Sequence, residues 1–210
     1  MQWHGILPLR DIDSNIAGQG GIRPGDIQRG GTKVGRYNRR DALAKKMALA
    51  GKDFSTTSIV ELASIFRKIL EQKIHGITFS PYTEGQGPGT QIGEQQIRER
   101  LEIIRPCVNW IRSFSCTDGN EQIPRIAAEN GLKTMVGVWL DDDRENNEKE
   151  LAGAIEVAGA GHASILAVGN EVLLRGDLPE DELIDYINRA KQAVPDVDVG
   201  YVDAYFKFVD

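Results

Sequence analysis

The sequence holds 210 residues, 40% hydrophobic and 27% charged, with a formal net charge of −6. That is enough for one domain with a sizeable core, or one domain plus a tail. An acidic chain is not built to neutralise phosphates, so nucleic acid is excluded as an expected partner. No apolar run approaches the ~18 residues that a membrane span needs. The start, Met1-Gln2-Trp3-His4, lacks the basic and apolar regions of a signal peptide, which leaves the localisation unknown, with soluble and cytoplasmic as the default.

The first part is unlike the rest. Residues 1–52 carry ten Lys+Arg against four Asp+Glu, which leaves −12 on the remainder. The run from Gly18 to Gly25, followed by Gly30-Gly31, breaks helices and strands. Glycine with arginine can cradle a phosphate, but there is no Walker pattern. Residues 1–56 are therefore expected to be a Gly-rich, irregular segment. Residues 57–73 change register. Ser58 and Glu61 form a capping box. Ile59, Leu62, Ala63, Phe66, Ile69 and Leu70 then share one face of an amphipathic helix.

From residue 74 onward strands and helices alternate. Ile77-Thr78-Phe79 predicts a strand, followed by a Gly/Pro loop and a helix from about Ile92. Val108 to Phe114 predicts a second strand, and Ile123 to Asn130 a helix ended by Gly131. Thr134 to Leu140 is a third strand. A long helix from Glu145 is stopped by Gly159 and Gly161. Ile165 to Val168 is the fourth strand. Pro179 opens the next helix in its first turn, and Pro195 ends it. The last strand is expected from about Val197 to Phe206. A β–α repeat of roughly 25–33 residues predicts a parallel sheet. The short, steady repeat favours a barrel over an open doubly wound sheet. After the first strand comes Glu84-Gly85-Gln86-Gly87-Pro88-Gly89, not a GxGxxG fingerprint, and Pro88 removes a backbone donor. The predicted architecture is an α/β fold, an incomplete (β/α)8 barrel with strands 1–5 of eight, over residues 57–210.

In such a barrel the reacting groups stand at the carboxyl ends of the strands. Strand 1 ends in Ser80-Pro81-Tyr82. Strand 2 contains Arg112 and ends in Ser115, with Asp118 beyond. Strand 3 ends in Trp139, followed by Asp141, Asp142 and Asp143. Strand 4 ends in Asn170-Glu171, and strand 5 holds Tyr201, Asp203 and Tyr205. Carboxylates and amides hydrogen-bond hydroxyls, and aromatic faces stack on pyranose rings, so this rim suits a carbohydrate. Glu171 is the sharpest candidate. It follows an apolar run, where desolvation would favour the protonated form that a general acid needs. Its alternative role is a salt bridge to Arg112 or Arg175. Tyr82, Arg112, Trp139, Asn170, Tyr201 and Asp203 are the candidate substrate-binding residues. The three consecutive aspartates read as a solvated loop, with Asp143 capping the next helix. His75 and His162 precede strands, at the end of a barrel that serves stability. Cys107 and Cys116 fit neither a CxxC site nor a disulfide framework and read as packed thiols. No metal and no cofactor is expected.

Three stretches carry a resemblance: Gly76-Ile77-Thr78-Phe79-Ser80-Pro81-Tyr82, Trp110-Ile111-Arg112-Ser113-Phe114, and Val168-Gly169-Asn170-Glu171-Val172-Leu173-Leu174-Arg175. In this order they resemble bacterial members of glycoside hydrolase family 17, the β-1,3-glucanase and glucan transglycosylase family, over about residues 76–205. The resemblance implies a β-glucan or oligosaccharide substrate and a retaining mechanism. Glu171 would be the acid/base, with a second carboxylate about 5–5.5 Å away as nucleophile. In the family that nucleophile lies at the end of strand 7, in a Gly-Glu-Thr-Gly-Trp-like motif, and this sequence contains no such motif. The chain is therefore expected to be a truncated glycosidase. Its alternative is a non-catalytic carbohydrate-binding or interaction half-barrel. A third reading is a half-barrel completed by self-association through its open edges.

Overall fold

A computed structural model describes residues 51–208; of the irregular, basic segment expected over residues 1–56, residues 1–50 lie outside them. The described residues fall into two units, divided between Arg67 and Lys68. That boundary falls within the first helix, α1 (Ile59–Glu71). The start of α1 is built as its sequence predicts. The Ser58 N–H donates to Glu61 Oε2 at 3.2 Å, and the Glu61 N–H donates back to Ser58 Oγ at 3.3 Å. Two N–H groups that a helix start leaves unpaired are thereby satisfied.

The second unit alternates strand and helix: β1 (Ile74–Thr78), α2 (Glu94–Ile104), β2 (Val108–Arg112), α3 (Ile123–Glu129), β3 (Lys133–Val138), α4 (Arg144–Gly159), β4 (Ile165–Asn170), α5 (Val172–Arg175), α6 (Glu180–Ala193) and β5 (Asp198–Val202). All five strands are parallel, in one sheet of order β1-β2-β3-β4-β5. Sequential order with a helix between successive strands is the winding of a (β/α) barrel, here over five strands. Gly76 pairs with Trp110, and Val136 with Leu166.

Alternate side chains settle which face is which. Val136, Val138, Leu166, Val168, Val199 and Tyr201 pack in one buried cluster with Leu151 and Ala154 of α4 and with Leu183, Ile187 and Ala190 of α6. A second cluster joins Val108 and Ile111 to Ile97 and Leu101 of α2 and to Ile123 and Ile126 of α3. These clusters are the helix-side core. Gly137, between Val136 and Val138, and Arg112, next to Ile111, belong to the opposite face, which lines the inside of a barrel. The surface of α2 and α3 carries four charges, Glu94, Arg98, Arg125 and Glu129, joined at 2.6–2.7 Å. All four side chains are more than a third exposed, so the pairs add little stability.

Several expected bounds shift: β1 starts at Ile74 and so includes His75, expected before the strand, and β2 and β3 end at Arg112 and Val138. The last strand stops at Val202, because the Asp203 carboxylate takes the N–H of Ala204 at 2.6 Å and turns the chain. Tyr205 then lies in a 3-10 turn, Tyr205–Lys207. Pro179 stands at the N-cap of α6, one position before the first helical residue, in an extended conformation with φ −66° and ψ 156°.

Gly137 places β3 against the end of β2. A Cβ there would lie 2.5 Å from the Ser113 carbonyl oxygen and 2.7 Å from Phe114 Cα. Both are backbone atoms that cannot rotate away. Gly137→Ala is expected to destabilise the chain by about 2–3 kcal/mol through overpacking. Urea unfolding would show this as a lower midpoint at constant slope. A shift worth less than about 0.5 kcal/mol would mean that the strands can part without cost.

Candidate active site

The carboxyl end of β4 is irregular, and the site is built on that irregularity. Pairing with β5 runs in register to Ala167, then shifts, so that Asn170 faces Val202. Gly169 absorbs the shift with φ +87°. A Cβ on it would stand 2.9 Å from Val172 Cγ2 and 3.1 Å from the Tyr201 ring. A bulge of this kind re-aims the next side chains. Glu171 follows at φ +54°, as the N-cap of the single turn α5. That left-handed conformation is uncommon for a residue with a Cβ.

Three of the expected site residues come together here. Arg112 Nη2 donates to Asn170 Oδ1 at 2.6 Å. Arg112 is 7% exposed, with its guanidinium 4.8 Å from the centre of the Phe114 ring. Burial lowers the guanidinium's pKa, and the negative charge of Glu171 opposes that shift. The bond also orients Asn170. Its oxygen is turned to Arg112, so its amide NH2 is the group left to donate to a ligand oxygen. Glu171 itself is exposed, which corrects the expectation of a desolvated carboxylate. The apolar run before it ends in side chains that point into the helix-side core, and the left-handed turn carries Glu171 away from them.

Trp139 joins the rim through Arg175. The Arg175 guanidinium lies 4.6 Å from the centre of the Trp139 ring and donates to the Leu140 carbonyl at 2.8 Å and to the Asn170 carbonyl. It pairs with Asp177, not with Glu171, whose alternative role was a salt bridge to Arg112 or Arg175. The indole N–H donates to Asp141 at 3.1 Å. One face of Trp139 is thus covered by Arg175, and half-burial leaves part of the ring open. Asp143 accepts from the N–H of Asn146 at 3.1 Å and caps α4, as its place in the sequence predicts.

The other expected residues stand elsewhere. Tyr82 packs against the β1–β2 cluster, and its hydroxyl accepts from Asn120 Nδ2 at 3.4 Å. Tyr201 and Asp203 are 6% and 5% exposed and lie behind the Glu171 turn. The expectation that they line the sugar-facing rim is corrected: Tyr201 shares the face of Val199, which is the helix side. His75 stacks on Trp110 at 5.9 Å between ring centres. Cys116 is buried and Cys107 half-buried, and both thiols are free. Burial pushes the Cys116 thiol well up, so it stays protonated and unreactive.

Glu150 is the residue that the sequence did not reveal. It lies on α4 and is 1% exposed. Its Oε2 accepts from the backbone N–H groups of Cys116 at 2.7 Å and Trp139 at 3.2 Å. Its Oε1 accepts from the hydroxyls of Ser115 at 2.5 Å and Thr117 at 2.7 Å. One carboxylate therefore fastens the loop after β2 to the end of β3. The signal was its place among Asn147, Leu151 and Ala154, on the buried face of the helix. Among the described residues, no group of three or more His, Cys, Asp or Glu could hold a metal ion.

The model of the BtgE/BtgC glycoside hydrolase domain matches residues 76–208. Glucan 1,3-beta-glucosidase of Schizosaccharomyces pombe is 32% identical over 116 residues, covering 50% of this chain and 36% of the relative. A probable beta-glucosidase btgE of Aspergillus oryzae is 31% identical over 121 residues, covering 56% of this chain and 20% of the relative. The crystal structure of a glycoside hydrolase family 17 beta-1,3-glucanosyltransferase from Rhizomucor miehei superposes with a TM-score of 0.55 at 24% identity, over 66% of this chain and 52% of that one. An active-site mutant of that enzyme, solved with laminaritriose, superposes equally well. The chain thus spans about a third or less of these two curated relatives and about half of the solved neighbour. The five strands match the fold of part of a barrel of the family 17 type. With more than half of its length matched by the family's model, this chain belongs to the BtgE/BtgC glycoside hydrolase domain family.

Proposed function

We propose that this chain carries the acid/base half of a retaining glycosidase site that acts on β-1,3-glucan, with Glu171 as the proton donor and acceptor. The observation that supports it best is the Arg112–Asn170–Glu171 group at the carboxyl end of the barrel strands, within the segment that belongs to the family. The relatives are named as a glucan 1,3-beta-glucosidase and a probable beta-glucosidase, and one neighbour of the same fold was solved with laminaritriose.

In this mechanism Glu171 gives its proton to the glycosidic oxygen as the bond to the anomeric carbon breaks. A second carboxylate attacks that carbon from the opposite face and forms a glycosyl ester. Glu171, now ionised, removes a proton from water, or from the hydroxyl of an acceptor sugar, and that oxygen displaces the ester. The second carboxylate belongs, by the resemblance, to a seventh strand, beyond the five described. Asn170 donates from its NH2 to a hydroxyl of the bound sugar, and Arg112 holds it in that orientation.

Titration of the 210-residue chain with laminaritriose tests this reading. Binding is expected, and Asn170→Ala is expected to weaken it roughly tenfold, the value of one well-placed hydrogen bond. Equal affinity in the two proteins, with the fold unchanged by circular dichroism, would remove Asn170 from the site.

A further inference from the structure

The Glu171 carboxylate is exposed, so its direction is set by the backbone beneath it, and that backbone is in an unfavoured conformation. What holds the turn comes from the end of β5. The Glu171 N–H donates to the Val202 carbonyl at 2.8 Å. The Leu173 N–H donates to the Tyr201 hydroxyl at 3.0 Å, and the Leu174 N–H to Asp203 Oδ2 at 3.3 Å. The Tyr201 hydroxyl donates in turn to Asp203 Oδ2. The other oxygen of Asp203 takes the Ala204 N–H at 2.6 Å. Three N–H groups of one short turn are thus received by three consecutive residues of one strand end.

The direction of this chain of bonds is fixed. The Tyr201 hydroxyl donates to Asp203 Oδ2, so the lone pair of its oxygen is what the Leu173 N–H meets. Burial pushes the Tyr201 phenol up, so it keeps its proton throughout the neutral range. The ring is buried in the helix-side core cluster, with Phe208 edge-on at 5.8 Å between ring centres.

We infer that Tyr201 and Asp203 are positioning residues that lock the left-handed Glu171 turn and thereby aim the carboxylate. The inference rests on the reading of Glu171 as the acid/base. Both residues act through the backbone, from the helix side of the sheet, and neither is placed to touch the sugar.

The test compares the wild-type chain with Tyr201→Phe, which removes only the hydroxyl, and with Val194→Ala. Val194 lies in the same core cluster, at the carboxyl end of α6. Amide hydrogen exchange and laminaritriose affinity are measured on all three. In Tyr201→Phe, exchange at Leu173 and Leu174 is expected to quicken roughly tenfold or more, with β1 to β3 unchanged, and affinity to fall roughly fivefold. Val194→Ala is expected to lower the melting temperature without either local effect. Unchanged exchange at Leu173 and Leu174 in Tyr201→Phe would overturn the inference. So would equal loss of affinity in both variants, which is the behaviour of a merely structural residue. A wild-type chain that does not bind laminaritriose defeats the sugar reading above; the exchange comparison still decides whether the clamp exists.

Discussion

On the proposed acid/base role, turnover of linear β-1,3-glucan by this chain, with the nucleophile-bearing part of a barrel supplied, is expected to fall about 10²–10⁴-fold in Glu171→Gln. The amide has nearly the shape of the acid but cannot give up or accept the proton, so binding should survive while chemistry stops. A merely structural loss can be told apart by the leaving group. With an aryl β-glucoside whose phenol is strongly acidic, the first step needs no proton, and the glycosyl ester should still form in the variant. The second step needs a base to activate water and should stall. Azide, which needs no deprotonation, should relieve the stall and give the β-glucosyl azide with retained configuration. Full turnover of unactivated glucan by Glu171→Gln would end the acid/base assignment. Failure of azide to restore turnover would place Glu171 outside the second step.

The alternation of strands and helices was legible because apolar runs such as Ile165–Val168 and stripes such as Leu183, Ile187 and Ala190 repeat at the two periods that separate the elements. As a candidate, Glu171 was marked by its neighbour and its place: an Asn-Glu pair at the end of a strand. The geometry beneath it was not. Glutamate disfavours a positive φ, so nothing in the residue types announces the left-handed turn or the bulge at Gly169. Tyr201, Asp203 and Tyr205 misled because their alternation imitates a longer strand with a polar rim. The parity of Val199 and Tyr201, two apart on one strand, already places the tyrosine on the helix side. Arg175 could be read only as an ion partner for Glu171, since its actual acceptors, two carbonyl oxygens and Asp177, depend on how the loops meet.

Glu150 separates what the sequence hides from what the structure requires. Glu150→Ala is expected to cost about 3–5 kcal/mol, because the two backbone N–H groups of Cys116 and Trp139 would be left buried without an acceptor. In a domain whose whole stability is about 5–15 kcal/mol, that is a melting temperature lower by about 10 °C. Glu150→Gln should behave differently. Its carbonyl oxygen can take the two N–H groups, while its NH2 meets the Ser115 and Thr117 hydroxyls, which can turn to accept. Burial pushes the Glu150 carboxyl up against these hydrogen bonds. A raised folded value means that the native state favours the protonated acid. That contribution is present below the unfolded value of about 4.3 and is lost as pH rises through the folded one. The amide does not titrate, so the stability of Glu150→Gln relative to wild type should rise between pH 4 and pH 7. Urea midpoints at the two pH values measure this. A relative stability that falls instead would show that the four donors outweigh burial and that Glu150 is held as a carboxylate. A small loss in Glu150→Ala would show that the loop after β2 and the end of β3 hold their places without it.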